Sequence, residues 1–218
     1  MKVGKKMKFS EMNVPNKLTT IRMFCVPLML VLFIIHLLFL HTNISCDMFL
    51  LNRLSLIQLF MLLVFVVASI TDFVDGHIAR KYNLVTDYGK LMDPLADKLL
   101  VNTTLICLLA MNTFFQYQNL MGLEILACFF SILVIARDIF VDALRMQALR
   151  KNIVVPAKIF GKLKTATLMP GIALLIISGI HVSIFIIGLI LIILGGIFAL
   201  ISGISYYNSM KQYIGDEQ

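Results

Sequence analysis

Tryptophan is absent from this 218-residue chain, and charge is scarce: Asp, Glu, Lys and Arg make up 14% of it, against about 25% in an ordinary soluble domain. Apolar residues reach 60%. A water-soluble fold of this length could not hide so much apolar surface, so lipid is the solvent. Cysteine is sparse too. Cys25, Cys46, Cys107 and Cys128 are widely separated, with no C-x-x-C pair. Three of them sit in apolar runs, where Cys behaves as a small hydrophobe, and this speaks against a disulfide framework or a zinc site. Nothing along the chain reads as a linker, which gives a single domain over residues 1–218. The net charge of +7 comes from Lys and Arg clusters with no aromatic residues among them. That pattern argues against nucleic acid as a partner and fits an anionic membrane surface.

What is present is a series of long apolar runs. A span needs roughly 20 such residues to cross about 30 Å of hydrocarbon. Runs of that kind lie at 23–41, 54–74, 95–116, 121–143, 165–181 and 183–207. The first is too long for a cleaved signal peptide and lacks a small-x-small cleavage site. All 19 Lys and Arg residues except Arg53 fall on one side of this arrangement, which the positive-inside rule makes cytosolic. The expected fold is therefore an all-α integral membrane bundle of six transmembrane helices with both termini cytosolic. Residues 1–22 form its interfacial N-terminal segment.

Acidic residues number only 12, yet Asp72, Asp75, Asp87, Asp93 and Asp97 fall in one stretch, 72–97. Asp72 and Asp75 are three apart and share a helix face at the end of the second span. Asp93 and Asp97 are four apart at the start of the third. Asp93 before Pro94 reads as a helix start, which puts Asp97 in the first turn. Asp87 reads as a solvated mid-loop charge. The other four are built into span ends, where a charge costs up to about 2.5–3.5 kcal/mol at full depth. Four mutually repelling carboxylates there are uneconomical unless cations bind between them. Hard divalent ions, Mg²⁺ or Mn²⁺, suit carboxylate oxygens better than zinc.

Asp72, Asp75, Gly76, Ala79, Arg80, Gly89, Asp93 and Asp97 form the pattern D-x2-D-G-x2-A-R-x8-G-x3-D-x3-D. A chance match to eight fixed residues in a chain this long is below about one in ten million. The pattern resembles the signature of the CDP-alcohol phosphotransferases at every fixed position. Two further stretches resemble the branch that uses glycerol 3-phosphate as acceptor. One is Asn13-Val-Pro15-Asn16-Lys-Leu-Thr19-Thr-Ile-Arg22; the other runs from Arg137-Asp138 through Leu144-Arg145 to Gly161-Lys162-Leu163-Lys164-Thr165. Asp138 stands where that branch usually has Glu, and Asp142-Ala143 where it has a small pair such as Thr-Gly.

The resemblance implies transfer of the phosphatidyl group from CDP-diacylglycerol to glycerol 3-phosphate by a homodimer of the plasma membrane, with its site at the cytosolic face. Two divalent cations would be held by Asp72, Asp75, Asp93 and Asp97. Asp93 and Asp97 would be catalytic, Asp97 as general base. Asp72, Gly76, Ala79, Arg80 and Gly89 would bind the CDP-lipid. Small Gly76 and Ala79 serve either nucleotide approach or close helix packing, and Arg80 either bidentate phosphate contact or a membrane anchor.

The acceptor is a dianion, so its pocket needs basic residues, and Arg137, Arg145, Lys162 and Lys164 are the candidates. Arg137 and Arg145 are about 80° apart around a helix and could face one cavity. Arg137 follows an apolar run and needs a ligand or a partner, for which Asp138 is the alternative. Another acceptor (inositol phosphate, serine or phosphatidylglycerol) is the nearest competing reading. A divalent-cation transporter fits less well, because transport sites lie near the midplane on broken helices.

Overall fold

In lipid each backbone N–H and C=O has to be satisfied within the protein, which drives long apolar runs into helices. A computed structural model of the chain describes residues 13–41, 49–51, 54–81, 87–111, 118–150 and 159–214. Among these residues there are six α-helices: α1 (Val14–His41), α2 (Leu56–Lys81), α3 (Asp87–Ala110), α4 (Met121–Arg150), α5 (Ile159–Ile176) and α6 (Val182–Ile214). Each predicted apolar run finds its helix. One feature departs from an all-α fold. Before α2, β1 (Phe49–Leu51) and β2 (Leu54–Ser55) pair antiparallel, Phe49 opposite Ser55 and Leu51 opposite Leu54. Backbone groups just outside a helix find partners in this way.

The protein is a membrane protein. Among the described residues three helical stretches are long and apolar enough to cross a bilayer: Asn16–Phe39, Ile159–Ile176 and Val182–Lys211. Leu56–Asp72 of α2 is a further apolar stretch among the described residues. Large apolar side chains are exposed on α1, α2, α4 and α6, among them Phe24, Phe60, Phe129, Ile139 and Ile204. Hydroxyls inside the helices turn back onto their own backbone: Ser69 donates to the Phe65 carbonyl and Ser131 to that of Ala127, both at 2.8 Å. No hydroxyl in these pairs is left without a partner in an apolar medium.

The helices fall into two compact units. The first contains α1, α2 and α3 as far as Thr104. Here α1 packs on α2, and the buried stripe of α2 runs Ile57, Met61, Phe65, Ala68. The second contains the β-hairpin, α3 from Leu105, and α4 to α6. Within it α6 packs against both α4 and α5. Two adjacent glycines allow this. A Cβ on Gly195 would stand 2.6 Å from the Leu168 side chain of α5, and one on Gly196 2.5 Å from the Phe130 ring of α4. Small residues give helices close approach where lipid offers no hydrophobic drive for association. The α5–α6 turn is as tight as the sequence predicts. At its end His181 Nδ1 accepts the Ser183 backbone N–H at 3.1 Å and caps α6.

Candidate active site

The acidic pattern begins in α2 and ends in α3, and both helices are longer than their apolar runs. α2 continues to Lys81 and α3 begins at Asp87, so five residues connect them. Two expectations change. Asp87 is not a mid-loop charge but the first residue of α3, where an acid complements the positive end of the helix. Asp93 and Pro94 are not a helix start; they are the seventh and eighth residues of α3, and Asp97 is the eleventh. Asp87 takes the role assigned to Asp93, and Pro94 removes only the hydrogen bond to the Lys90 carbonyl. Asp97 is thus outside the first turn and gains no stabilisation from the helix end.

Counting from the connection, Asp75 stands six residues before the end of α2 and Asp93 six after the start of α3. Asp72 and Asp97 stand nine and ten residues away. At 1.5 Å per residue these are about 9 Å and about 14–15 Å along each helix from its own end.

Asp72 continues the buried stripe of α2 one turn beyond Ala68. Its Oδ1 lies 2.7 Å from Nη1 of Arg22 on α1. The Arg22 side chain is fully buried, whereas that of Asp72 is 33% exposed. Arg22 Nε also donates to the Ala68 carbonyl at 3.3 Å. Asn16 and Thr19 are buried on the same face of α1. Asp97 is half-buried. The side chains of Asp75, Gly76, Ala79, Arg80, Gly89 and Asp93 lie outside the described residues. Among the described residues no three Asp, Glu, His or Cys side chains gather as a metal site.

The second unit holds the basic residues expected around the acceptor. Asp138 sits in the buried stripe of α4 and Lys164 heads that of α5. Lys164 Nζ lies 2.5 Å from both Asp138 oxygens. Arg137 Nη1 reaches Asp138 Oδ1 at 3.0 Å, and its Nη2 donates to Ser202 Oγ of α6 at 2.7 Å. Its Nε is buried with no hydrogen-bond partner among the described residues. Two cations on one carboxylate leave this cluster with an excess positive charge. The Arg137 stem crosses Gly203, where a Cβ would stand 3.2 Å from its Cγ, and lines an apolar groove of about 390 Å³ between α4 and α6. Arg145 lies over the Tyr206 ring, 5.7 Å from its centroid. Lys162 is exposed. Arg137 and Arg145 both face α6, but each engages its own partner there.

The family model described as CDP-alcohol phosphatidyltransferase matches residues 12–199. The chain belongs to this family. A relative from Rickettsia prowazekii (strain Madrid E), named CDP-diacylglycerol--glycerol-3-phosphate 3-phosphatidyltransferase, is 36% identical over 207 residues, 93% of this chain and 98% of its own. One of the same name from Bacillus subtilis (strain 168) is 33% identical over 153 residues, 70% of each chain. A third, from Mycoplasma pneumoniae (strain ATCC 29342 / M129 / Subtype 1), is 39% identical over 108 residues, 50% of this chain and 42% of its own.

In this CDP-alcohol phosphatidyltransferase, sequence reasoning placed Arg22 in the N-terminal stretch that resembles the branch but gave it no partner, and it missed Ser202. Arg80 and nearby lysines read as the available counter-charges to the acids; the structure gives Asp72 a buried one from α1. A signal was present. Asn16, Thr19 and Arg22 recur every third residue, which puts three polar side chains on one face of a helix. For Ser202, in the apolar run of α6, the sequence holds no signal.

Proposed function

We propose that this membrane protein transfers the phosphatidyl group of CDP-diacylglycerol to glycerol 3-phosphate, giving phosphatidylglycerophosphate and CMP, in the synthesis of anionic phospholipids. The observation that carries this reading is the near end-to-end alignment with a relative of that name, 93% of this chain on 98% of the other. In the reaction the acceptor hydroxyl oxygen bonds to the phosphorus of the phosphatidyl group, the bond to the CMP phosphate breaks, and the hydroxyl proton passes to Asp97. Asp72, Asp75, Asp93 and Asp97 would hold two divalent cations, Mg²⁺ or Mn²⁺. The donor set fits in kind: four carboxylates, whose hard oxygens suit such ions, are carried by α2 and α3. Such ions, when bound, neutralise phosphate oxygens and the developing charge on the leaving group.

Gly76 and Ala79 leave room for the nucleotide beside α2. Arg80 contacts phosphate, and Gly89 allows close backbone approach. The acceptor phosphate meets Arg145, Lys162 and the excess positive charge of the Arg137–Asp138–Lys164 cluster. Six spans, cytosolic termini, a site at the cytosolic face of the plasma membrane and a homodimer complete the reading.

The test is CMP release from CDP-diacylglycerol by purified protein, with glycerol 3-phosphate, inositol phosphate, serine and phosphatidylglycerol offered separately. Release with glycerol 3-phosphate alone is expected, abolished by EDTA, restored by Mg²⁺ or Mn²⁺, and lost in Asp97→Asn. Release with a different acceptor would keep the family and overturn the acceptor.

A further inference from the structure

We infer that Tyr206 of α6 is a positioning residue for the acceptor phosphate: its ring holds the Arg145 guanidinium in place without neutralising it. The inference rests on the proposed reaction with glycerol 3-phosphate and adds to it a residue from the last helix.

Four basic side chains of the second unit are candidates to meet the phosphate, and the structure treats them differently. Arg137 and Lys164 share the Asp138 carboxylate, and Arg137 also donates to Ser202. Lys162 is exposed. Arg145 is half-buried, and its Cζ lies 5.7 Å from the centroid of the Tyr206 ring, inside the roughly 6 Å over which a ring attracts a cation. Asp142 stands three residues before Arg145, a spacing at which opposite charges commonly pair on a helix. Among the described residues no ion pair joins these two. The ring takes the place that a carboxylate would have filled.

That exchange has a chemical consequence. A carboxylate can occupy two of the five N–H donors of a guanidinium at once, and it cancels the charge. An aromatic ring attracts the same cation through its quadrupole and carries no net charge of its own. Arg145 is thereby held with its positive charge intact and its fork of donors open to an anion. A phosphate dianion is the complementary ligand, because two of its oxygens match that fork.

The ring is itself held firmly. Tyr206 is 5% exposed and packs with Val141, Leu144 and Ala148 of α4 and Met210 of α6. The three α4 residues stand four before, one before and three after Arg145, so the helix that carries the guanidinium also clamps the ring. An arginine kept only as an anchor would lay its stem along apolar neighbours and its head among lipid headgroups. Loss of the ring would then leave the two substrates equally affected.

Steady-state CMP release by the purified full-length protein, with each substrate varied in turn, separates the two roles. In Tyr206→Leu the KM for glycerol 3-phosphate is expected to rise about 3–30-fold, the usual worth of a cation–π contact. The KM for CDP-diacylglycerol should stay at the wild-type value. Tyr206→Phe keeps the ring and should restore the wild-type KM for glycerol 3-phosphate. In an Arg145→Gln background Tyr206→Leu should add no further rise. An unchanged KM for glycerol 3-phosphate in Tyr206→Leu, an equal rise for both substrates, a rise that Tyr206→Phe does not reverse, or a further rise with Arg145→Gln already present would overturn the inference. If Tyr206→Leu is not recovered folded, Tyr206→Met, which fills more of the space of the ring, is read in its place against the same outcomes. Wild-type protein that releases no CMP with glycerol 3-phosphate removes the proposed reaction and this inference with it, an outcome distinct from failure of the Tyr206 variants alone.

Discussion

Asp138 accepts from two cations on two helices while buried in the stripe of α4. Removing it takes a buried carboxylate from Lys164 and Arg137, and breaking a buried pair in this way costs about 3–5 kcal/mol. Asp138→Ala is expected to lower the thermal midpoint of the purified protein more than truncation of its apolar neighbour Val141 to Ala. Combining Asp138→Asn with Lys164→Met should recover much of the loss, because Arg137 keeps Ser202 as a partner. Equal stability of Asp138→Ala and the wild type would mean that the cluster contributes nothing to the fold. The sequence made part of this legible: Arg137 after an apolar run demanded a partner, and its neighbour Asp138 was the alternative to a ligand. Lys164 was not legible as a third member. Which way α5 turns its first residues depends on packing against α6, and spacing along the chain carries no information about that.

At the level of helices, existence was legible and ends were not. Apolar runs report where hydrocarbon is, whereas a helix ends where its backbone finds other partners. α2 accordingly runs seven residues beyond its apolar run and α3 starts eight residues before its own. Asp93-Pro94 imitates a helix start, but Asp87 fills that role earlier. Helix packing gives a sharper expectation. Gly196→Val forces atoms into Phe130, whose Cβ would stand 2.6 Å from the first added carbon, and overpacking of this kind costs about 1–3 kcal/mol. Gly122 has nothing within 4 Å of an added Cβ, so Gly122→Ala should be neutral or stabilising by up to about 1 kcal/mol through helix propensity. Thermal unfolding in detergent compares the two. Similar losses in both would mean that α4 and α6 do not depend on the small residue between them.

For the whole molecule, the distribution of Lys and Arg predicts cytosolic termini, and membrane-impermeant maleimide tests it. Cysteines introduced as Lys2→Cys and Gln218→Cys should label only after cells are permeabilised, while Cys46 in the α1–α2 connection should label in intact cells. Reactivity of either terminus in intact cells would reverse the orientation or change the number of spans. That the four acids hold cations together was legible only as a family resemblance and stays a proposal, since helix register across a five-residue link is set by packing rather than by sequence spacing.

α1 is a helix of 28 residues with Pro27 inside it, about 42 Å long at helical rise. Its Asn16–Phe39 stretch is long and apolar enough to cross a bilayer, and near its start Arg22 pairs with Asp72. A span adjusts to a thicker or thinner bilayer by tilting, kinking or shifting, and Pro27 is where this helix can bend. Chemistry proposed for the acidic pattern would thereby depend on the thickness of the membrane, the material that the proposed reaction supplies.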